Sequence, residues 1–332
     1  MILISYGTRP EYIKMVPIIN KLIENNIQYK TLFTGQHKNI VTDTSDFKLS
    51  ILEYGENRLD NILISCLSIP DTVFDGIKMV IVQGDTTSAL GVSIACMNRK
   101  IKVVHLEAGL RSYDNFNPYP EEYNRKLISI ISDIHLCPTD HNKNNLLNEN
   151  IKENIFVVGN TVLDNLVDAK KSLTYGNKIL ITLHRRENHE IIEEWFNEIE
   201  MLAQQYDDYE FIIPIHPNPN VLKHKSIFNK VKVINPLEYE DMINLLKEVR
   251  LVITDSGGLQ EECSFLNKKC LVCRKTTERS ESLNKSSFLI YSPNDLRNKF
   301  EFHLKNYKID YDSPYGDGFS SDKIINILKE YI

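Results

Sequence analysis

The sequence predicts an α/β protein of two domains, each a parallel sheet covered by helices on both faces. Three observations carry that expectation. The chain has 332 residues, enough for two domains of roughly 150 residues with cores of their own. Short runs rich in Ile and Val alternate with longer stretches of helical spacing. The alternation occurs twice, and a polar stretch ending in Tyr175-Gly176-Asn177 separates the halves.

In chain order, strands of the first half are expected at residues 2–5, 29–34, 79–83, 102–106, 135–138 and 155–158. Each runs into a polar or glycine-containing turn. Residues 162–175 read as a helix and linker, which puts the domain boundary there. The second half repeats the pattern at 178–183, 210–215, 232–234, 251–254, 269–273 and 288–290. After the turn cluster Pro314-Tyr315-Gly316-Asp317-Gly318, residues 322–332 show helical spacing at Ile324, Ile325, Leu328 and Ile332, and this last helix needs a surface to cover. The expected division is 1–165 and 166–318, with 319–332 packing back on the first domain.

Composition narrows the function. Hydrophobic residues make up 42% and charged residues 25%, ordinary globular usage that leaves no room for disorder or a fibrous repeat. Apolar runs such as Met79-Val80-Ile81-Val82 are too short to span a membrane. The chain opens straight into Met1-Ile2-Leu3-Ile4 with no basic region or small-residue cleavage site, so a cytoplasmic protein is expected. A balance of 39 Lys+Arg against 45 Asp+Glu, net −6, argues against nucleic-acid binding but allows a local basic pocket for a small polyanion. The six cysteines are scattered; Cys270 and Cys273 make one C-x-x-C, which lies inside an apolar run and reads as buried strand in preference to a metal or redox site.

Ligands of open parallel sheets sit beyond the carboxyl ends of the strands. There the first half offers Gly7-Thr8-Arg9-Pro10-Glu11, Gly35-Gln36-His37, Gly84-Asp85-Thr86 and Glu107-Ala108-Gly109-Leu110-Arg111. The second offers His184-Arg185-Arg186-Glu187, His216-Pro217-Asn218-Pro219-Asn220 and the stretch from Asp255 to Glu262. These two edges are expected to face each other across a cleft. Asp255-Ser256-Gly257-Gly258 falls between a strand and a helix, where backbone amides and the helix dipole favour a diphosphate, although a plain Ser cap with turn glycines explains the same residues. Arg9, Lys14 and Arg125 would add positive charge.

Several chemistries drop out. No G-x-G-x-x-G follows any strand, and there is no nucleophile elbow, P-loop or H-E-x-x-H pair, which disfavours NAD chemistry and the commonest hydrolase, kinase and zinc-protease designs. What remains is Asp85, Glu107, Glu121, Glu122, His184 and His216. Singly each has a bland explanation: Asp85 as a helix cap, Glu107 as a partner of Arg111, His216 as a ligand of its own backbone. Together on the loop edges they suit proton exchange with a weakly acidic C–H or a leaving group.

In this order the loops resemble those of the non-hydrolysing UDP-N-acetylglucosamine 2-epimerases. The resemblance also takes in Asn117-Pro118-Tyr119-Pro120-Glu121-Glu122 with Asn124-Arg125, Gly159-Asn160-Thr161 and Thr276-Thr277-Glu278-Arg279, and so covers essentially the whole chain. It implies the glycosyltransferase type B fold, a homodimer, a UDP-sugar substrate and no metal or other cofactor. It implies inversion at carbon 2 of the sugar by anti elimination of UDP, a 2-acetamidoglucal intermediate and re-addition of UDP. Carried over, Asp85, Glu107, Glu121 and His184 are the catalytic set. Arg9, Lys14, Arg125, His216, Ser256, Gly257 and Gly258 bind substrate, and Glu262 accepts the ribose hydroxyls. Gln36, His37 and Arg185 resemble the part that binds a second, activating UDP-sugar.

The chain departs from the family pattern at Lys275, where an acid is usual, and at Ser280, where proline is usual. A modified or 6-deoxy UDP-HexNAc, or loss of the activator, would fit such a change. The segments 42–52 and 173–178 look trimmed. A hydrolysing epimerase releasing free N-acetylmannosamine, a UDP-sugar glycosyltransferase and an inactive nucleotide-sugar sensor are the competing readings, and deuterium uptake at carbon 2 separates the epimerases from the last two.

Overall fold

A computed structural model describes residues 1–37, 44–116 and 118–332. It divides into two compact units, Met1–Asn165 with Gly316–Ile332, and Leu166–Tyr315. Part of the trimmed segment 42–52, and Asn117, lie outside the described residues.

The first unit holds a parallel sheet of β1 (Ile2–Tyr6), β2 (Tyr29–Phe33), β3 (Phe47–Lys48), β4 (Met79–Gln83), β5 (Lys102–Leu106), β6 (Ile134–Cys137) and β7 (Ile155–Val157), in the order β3-β2-β1-β4-β5-β6-β7. Its central strands are apolar on both faces, because both are covered. Leu3, Val80, Val82 and Val103 point to one side, under the helices Arg58–Leu67 and Thr87–Met97. Ile2, Ile4, Ile81 and Val104 point to the other, under Arg9–Glu24 and the C-terminal helix Ser320–Lys329. That last helix buries Ile324, Ile325 and Leu328 beside Met15, Ile18 and Leu22. Its first amides, Ser320 N and Ser321 N, donate to the Asp164 carboxylate at 3.0 and 2.7 Å, the anion a helix N-terminus favours.

The second unit repeats the design with β8 (Lys178–Thr182), β9 (Glu210–Pro214), β10 (Lys232–Ile234), β11 (Leu251–Thr254), β12 (Lys269–Val272) and β13 (Ser287–Leu289), ordered β10-β9-β8-β11-β12-β13. Trp195, Phe196 and Phe211 fill its core with Ile179, Ile181 and Ile253. The sheet strands expected from sequence are all present within a residue or two, and the α/β class with two parallel sheets stands.

Two details differ from the sequence expectation. Two-residue β3 was not foreseen; it is too short for a hydrophobic period, and Asp46, bonded to Thr31 N at 2.8 Å, sets it in place. The single helix expected over 162–175 is a 3₁₀ segment, Thr161–Leu166, followed by the short helix Val167–Lys171. Leu163 and Leu166 are both fully buried, three residues apart, the period of the tighter helix. All six cysteines are free and buried, and burial pushes the thiols of Cys66, Cys96 and Cys137 up to about 12. No helix among the described residues is long and apolar enough to cross a membrane.

Candidate active site

Each sheet has a switch point where successive connections leave in opposite directions, and in parallel sheets that is where ligands bind. In the first unit it lies between β1 and β4. Thr8 caps the helix Arg9–Glu24, and Glu11 closes a capping box. The buried Glu11 carboxylate accepts from Gly7 N and Thr8 N, both at 2.6 Å, and from the Thr86 hydroxyl at 2.6 Å. It thereby ties the loop after β1 to the loop after β4. Burial pushes the Glu11 carboxyl up, against the pull of those three donors. Thr86, not Asp85, caps the next helix, which leaves Asp85 available for the site.

Glu107 follows β5 with a φ of 68°, the left-handed region that ordinary side chains avoid. The turn is continued by Gly109, at φ 82°, where a Cβ would collide with the Asn142 carbonyl. Glu107 is 8% exposed, and its Oε2 accepts from Lys14 Nζ at 2.6 Å and from Gln83 Nε2. Arg111, the partner sequence suggested for Glu107, instead grips Glu149 at 2.7 Å.

The third group comes from the helix Glu121–Ile131, whose inward face is polar. Arg125 reaches Asp85 Oδ2 at 2.6 Å and Glu122 Oε2 at 3.0 Å, and Asn124 Nδ2 donates to the Asp85 carbonyl at 2.8 Å. Fully buried Glu122 also accepts from Ser112 N and Tyr113 N. Burial pushes its carboxyl up, but the Ser112 and Tyr113 amides and Arg125 together hold it below the usual range. Glu121, half-buried, starts the same helix. Lys14 and Arg125, read from sequence as diphosphate ligands, are thus each paired with a candidate catalytic carboxylate.

Beside this edge a cavity of 930 Å³ is lined by Arg9, Gln36, His37, Glu56 and Arg58. Gln36 Oε1 accepts from Ser88 N at 3.0 Å, and His37 N donates to the Gly7 carbonyl at 2.9 Å. Burial and Arg58 lower the pKa of His37.

In the second unit the switch point lies between β8 and β11. Ser256 caps the helix Gly257–Phe265 through Leu259 N, and the position a Cβ would take on Gly258 is open space. A Cβ on Gly257 would come within 2.8 Å of Glu278 Oε1. That carboxylate belongs to a buried ion network: Arg274 meets Glu278 at 2.9 Å and Glu187 at 2.5 Å, and Arg279 meets Glu261 at 2.8 Å and also Glu278. Despite the opposing effect of burial, Arg279, Arg274 and Arg185 hold Glu278 far below the usual carboxylate range. Glu262 is 8% exposed on the same helix, whereas Lys275 and Ser280 face solvent.

His184 follows β8 and stacks on His216, ring centroids 5.0 Å apart and 13° from parallel. His216 also accepts from Asn218 N at 3.1 Å through Nδ1, the local bond its loop suggested. Burial lowers the pKa of both rings, while Asp255 pulls the other way. Sequence reading counted Glu122 among the loop-edge carboxylates but assigned no individual role to Glu11, Gln83, Asp255 or the Arg274–Glu278 network. Only Glu11 left a local signal, the Thr8/Glu11 spacing of a capping box.

The first edge therefore carries buried carboxylates with cations against them, and the second a helix N-terminus open at Gly258 with a histidine pair. A family described as UDP-N-acetylglucosamine 2-epimerase matches residues 20–329. The chain belongs to the UDP-N-acetylglucosamine 2-epimerase family. It is 37% identical to the UDP-N-acetylglucosamine 2-epimerase of Campylobacter jejuni, over 98% of this chain and 97% of that one. Among solved structures, the UDP-GlcNAc 2-epimerase of Neisseria meningitidis bound to UDP-GlcNAc superposes with a TM-score of 0.90 at 35% identity, covering 99% of both chains. The Methanocaldococcus jannaschii UDP-GlcNAc 2-epimerase in complex with UDP-GlcNAc and UDP superposes at 0.82 and 33% identity, again over 99% of both. The fold class and the family that the ordered motifs resembled both stand, and the chain is an isomerase of the 2-epimerase kind.

Proposed function

We propose that the chain interconverts UDP-N-acetylglucosamine and UDP-N-acetylmannosamine, or a closely related UDP-HexNAc pair, without releasing free sugar. The observation that carries this reading is the placement of carboxylates at one switch point and of a Ser256-capped helix N-terminus with histidines at the other. A carboxylate of the first edge takes the proton from carbon 2. The C–H electron pair becomes the C1–C2 double bond, and the C1–O bond breaks with its electrons leaving on UDP. A proton delivered to the other face of carbon 2, with re-addition of UDP at C1, completes the inversion.

Asp85, Glu107 and Glu121 supply the acids and bases for the two faces. His184 assists at the leaving phosphate, where charge develops as the C–O bond breaks. Arg9, Lys14, Arg125 and His216, with Ser256, Gly257 and Gly258, hold the diphosphate, and Glu262 takes the ribose hydroxyls. Gln36, His37 and Arg185 serve the binding of a second, activating UDP-sugar. The enzyme works in the cytoplasm as a homodimer, which light scattering of the purified protein would test.

Proton NMR in deuterated water with UDP-N-acetylglucosamine tests the reaction. Formation of UDP-N-acetylmannosamine deuterated at carbon 2 supports it, and accumulation of UDP with free sugar would assign the hydrolysing reaction instead. Glu107→Gln is expected to bind UDP with nearly unchanged affinity while turnover falls about 10²–10⁴-fold. Equal loss of both would make Glu107 a structural residue.

A further inference from the structure

We infer that Asp255 is the positioning residue for His184, fixing its imidazole with the proton on Nδ1 and leaving Nε2 as the nitrogen that meets substrate. Asp255 is fully buried. Its Oδ2 is occupied by three donors: His184 N and Arg185 N at 2.9 Å and Asn188 Nδ2 at 3.0 Å. Those bonds hold the backbone of the loop that carries the histidine, which is a structural task complete in itself. Oδ1 is the atom that asks for more. It is buried, accepts no hydrogen bond among the described residues, and lies 3.6 Å from His184 Nδ1.

A buried carboxylate oxygen without a donor is costly, so a proton on the facing ring nitrogen is favoured. A small rotation of the ring brings 3.6 Å into hydrogen-bond range. His184 itself is about a third exposed, and its Nε2 makes no hydrogen bond to the described residues, so that nitrogen is left to work on a ligand.

The charges around the ring assign Asp255 a second effect. Arg185, His189 and the stacked His216 all oppose a positive charge on His184, and Asp255 is the group that supports one. A ring so held can carry a proton at Nε2 toward an anionic phosphate while its Nδ1 proton stays on the carboxylate side. The same logic explains why the β11 loop begins with Asp255 ahead of the Ser256 cap, a position whose side chain accepts from the β8 loop.

The inference rests on the epimerase reading for its kinetic consequence alone; its structural content is decided by histidine-selective ¹⁵N spectra of the full chain without substrate. With His184 assigned by its loss in His184→Gln, the neutral ring is expected as the Nδ1–H tautomer. In Asp255→Asn the amide can still accept from the loop backbone, but it presents N–H to the ring. His184 should then switch to the Nε2–H tautomer and titrate at lower pH. In that variant kcat should fall at least about tenfold with KM nearly unchanged, and the alkaline limb of the kcat profile should move to lower pH. A wild-type ring in the Nε2–H form, or a titration unmoved in Asp255→Asn, overturns the assignment. If Asp255→Asn does not fold, the wild-type tautomer still decides. An inactive wild type with the expected tautomer would count against the epimerase reading and leave the positioning role standing.

Discussion

Lys14 Nζ lies 2.6 Å from Glu107 Oε2, joining the second turn of the first helix to the strained turn after β5, 93 residues further on. Both side chains are largely buried, 14% and 7% exposed. Removing Lys14 deprives the buried Glu107 charge of this cation, with Gln83 Nε2 still donating to it. Lys14→Met should destabilise the first unit by roughly 3 kcal/mol and reduce both turnover and UDP affinity. Denaturant unfolding and calorimetric titration with UDP check it; intact stability with lost UDP binding would return Lys14 to a purely ligand-holding role.

Gly257 opens the helix at the second switch point with almost no space for a side chain. A Cβ there meets Glu278 Oε1 at 2.8 Å and Arg279 Nη1 at 3.1 Å, both fixed in the buried network. Gly257→Ala should weaken UDP binding about tenfold, near 1.4 kcal/mol, by shifting the helix terminus. Gly258→Ala, which enters open space, should leave folding unchanged and affect only the ligand. Equal affinities for both variants and wild type would remove this terminus from the diphosphate site.

Arg9 lines the 930 Å³ cavity beside Gln36 and His37 at the start of the first helix. As a charge-assisted ligand of a phosphate it should be worth about 1.5–3 kcal/mol. Arg9→Ala is expected to lower UDP affinity by that amount, measured by titration calorimetry; unchanged affinity would take it out of the site.

Two buried histidines give the first unit a pH dependence of defined sign. Burial, with Arg111 adding to it, depresses His105 to about 3 and His135 to about 4 from an ordinary 6.5. Both rings stay neutral in the folded state while the unfolded chain takes up protons below pH 6.5. Stability contributed by these rings is therefore present above pH 6.5 and is lost as pH falls toward 4, by up to about 1.4 kcal/mol per pH unit for each ring. Urea midpoints at pH 7, 5.5 and 4.5 should fall accordingly, and His135→Gln should flatten the slope. A slope unchanged in that variant would assign the acid sensitivity elsewhere.

The sequence by itself determined what is local. Runs such as Met79–Gln83 and Leu251–Thr254 announced their strands because both sheet faces are covered, so every residue of the run is apolar. The capping residues Thr8 and Ser256 and the loop motifs were legible for the same reason, since a cap bonds to an amide two or three residues away. Collinear motifs then indicated the family without any geometry. The partners of the site residues were decided by tertiary structure. Arg125 meets Asp85 across 40 residues, Lys14 meets Glu107 across 93, and Asp255 meets the His184 loop across 71. No spacing rule encodes such pairings. They follow from strand order, which brings the ends of β1, β4 and β5 together in one sheet and those of β8 and β11 in the other. Even the local guess that Glu107 pairs with Arg111 failed for that reason: four residues apart in a turn they point to different neighbours, and it is sheet order that supplies each with its partner.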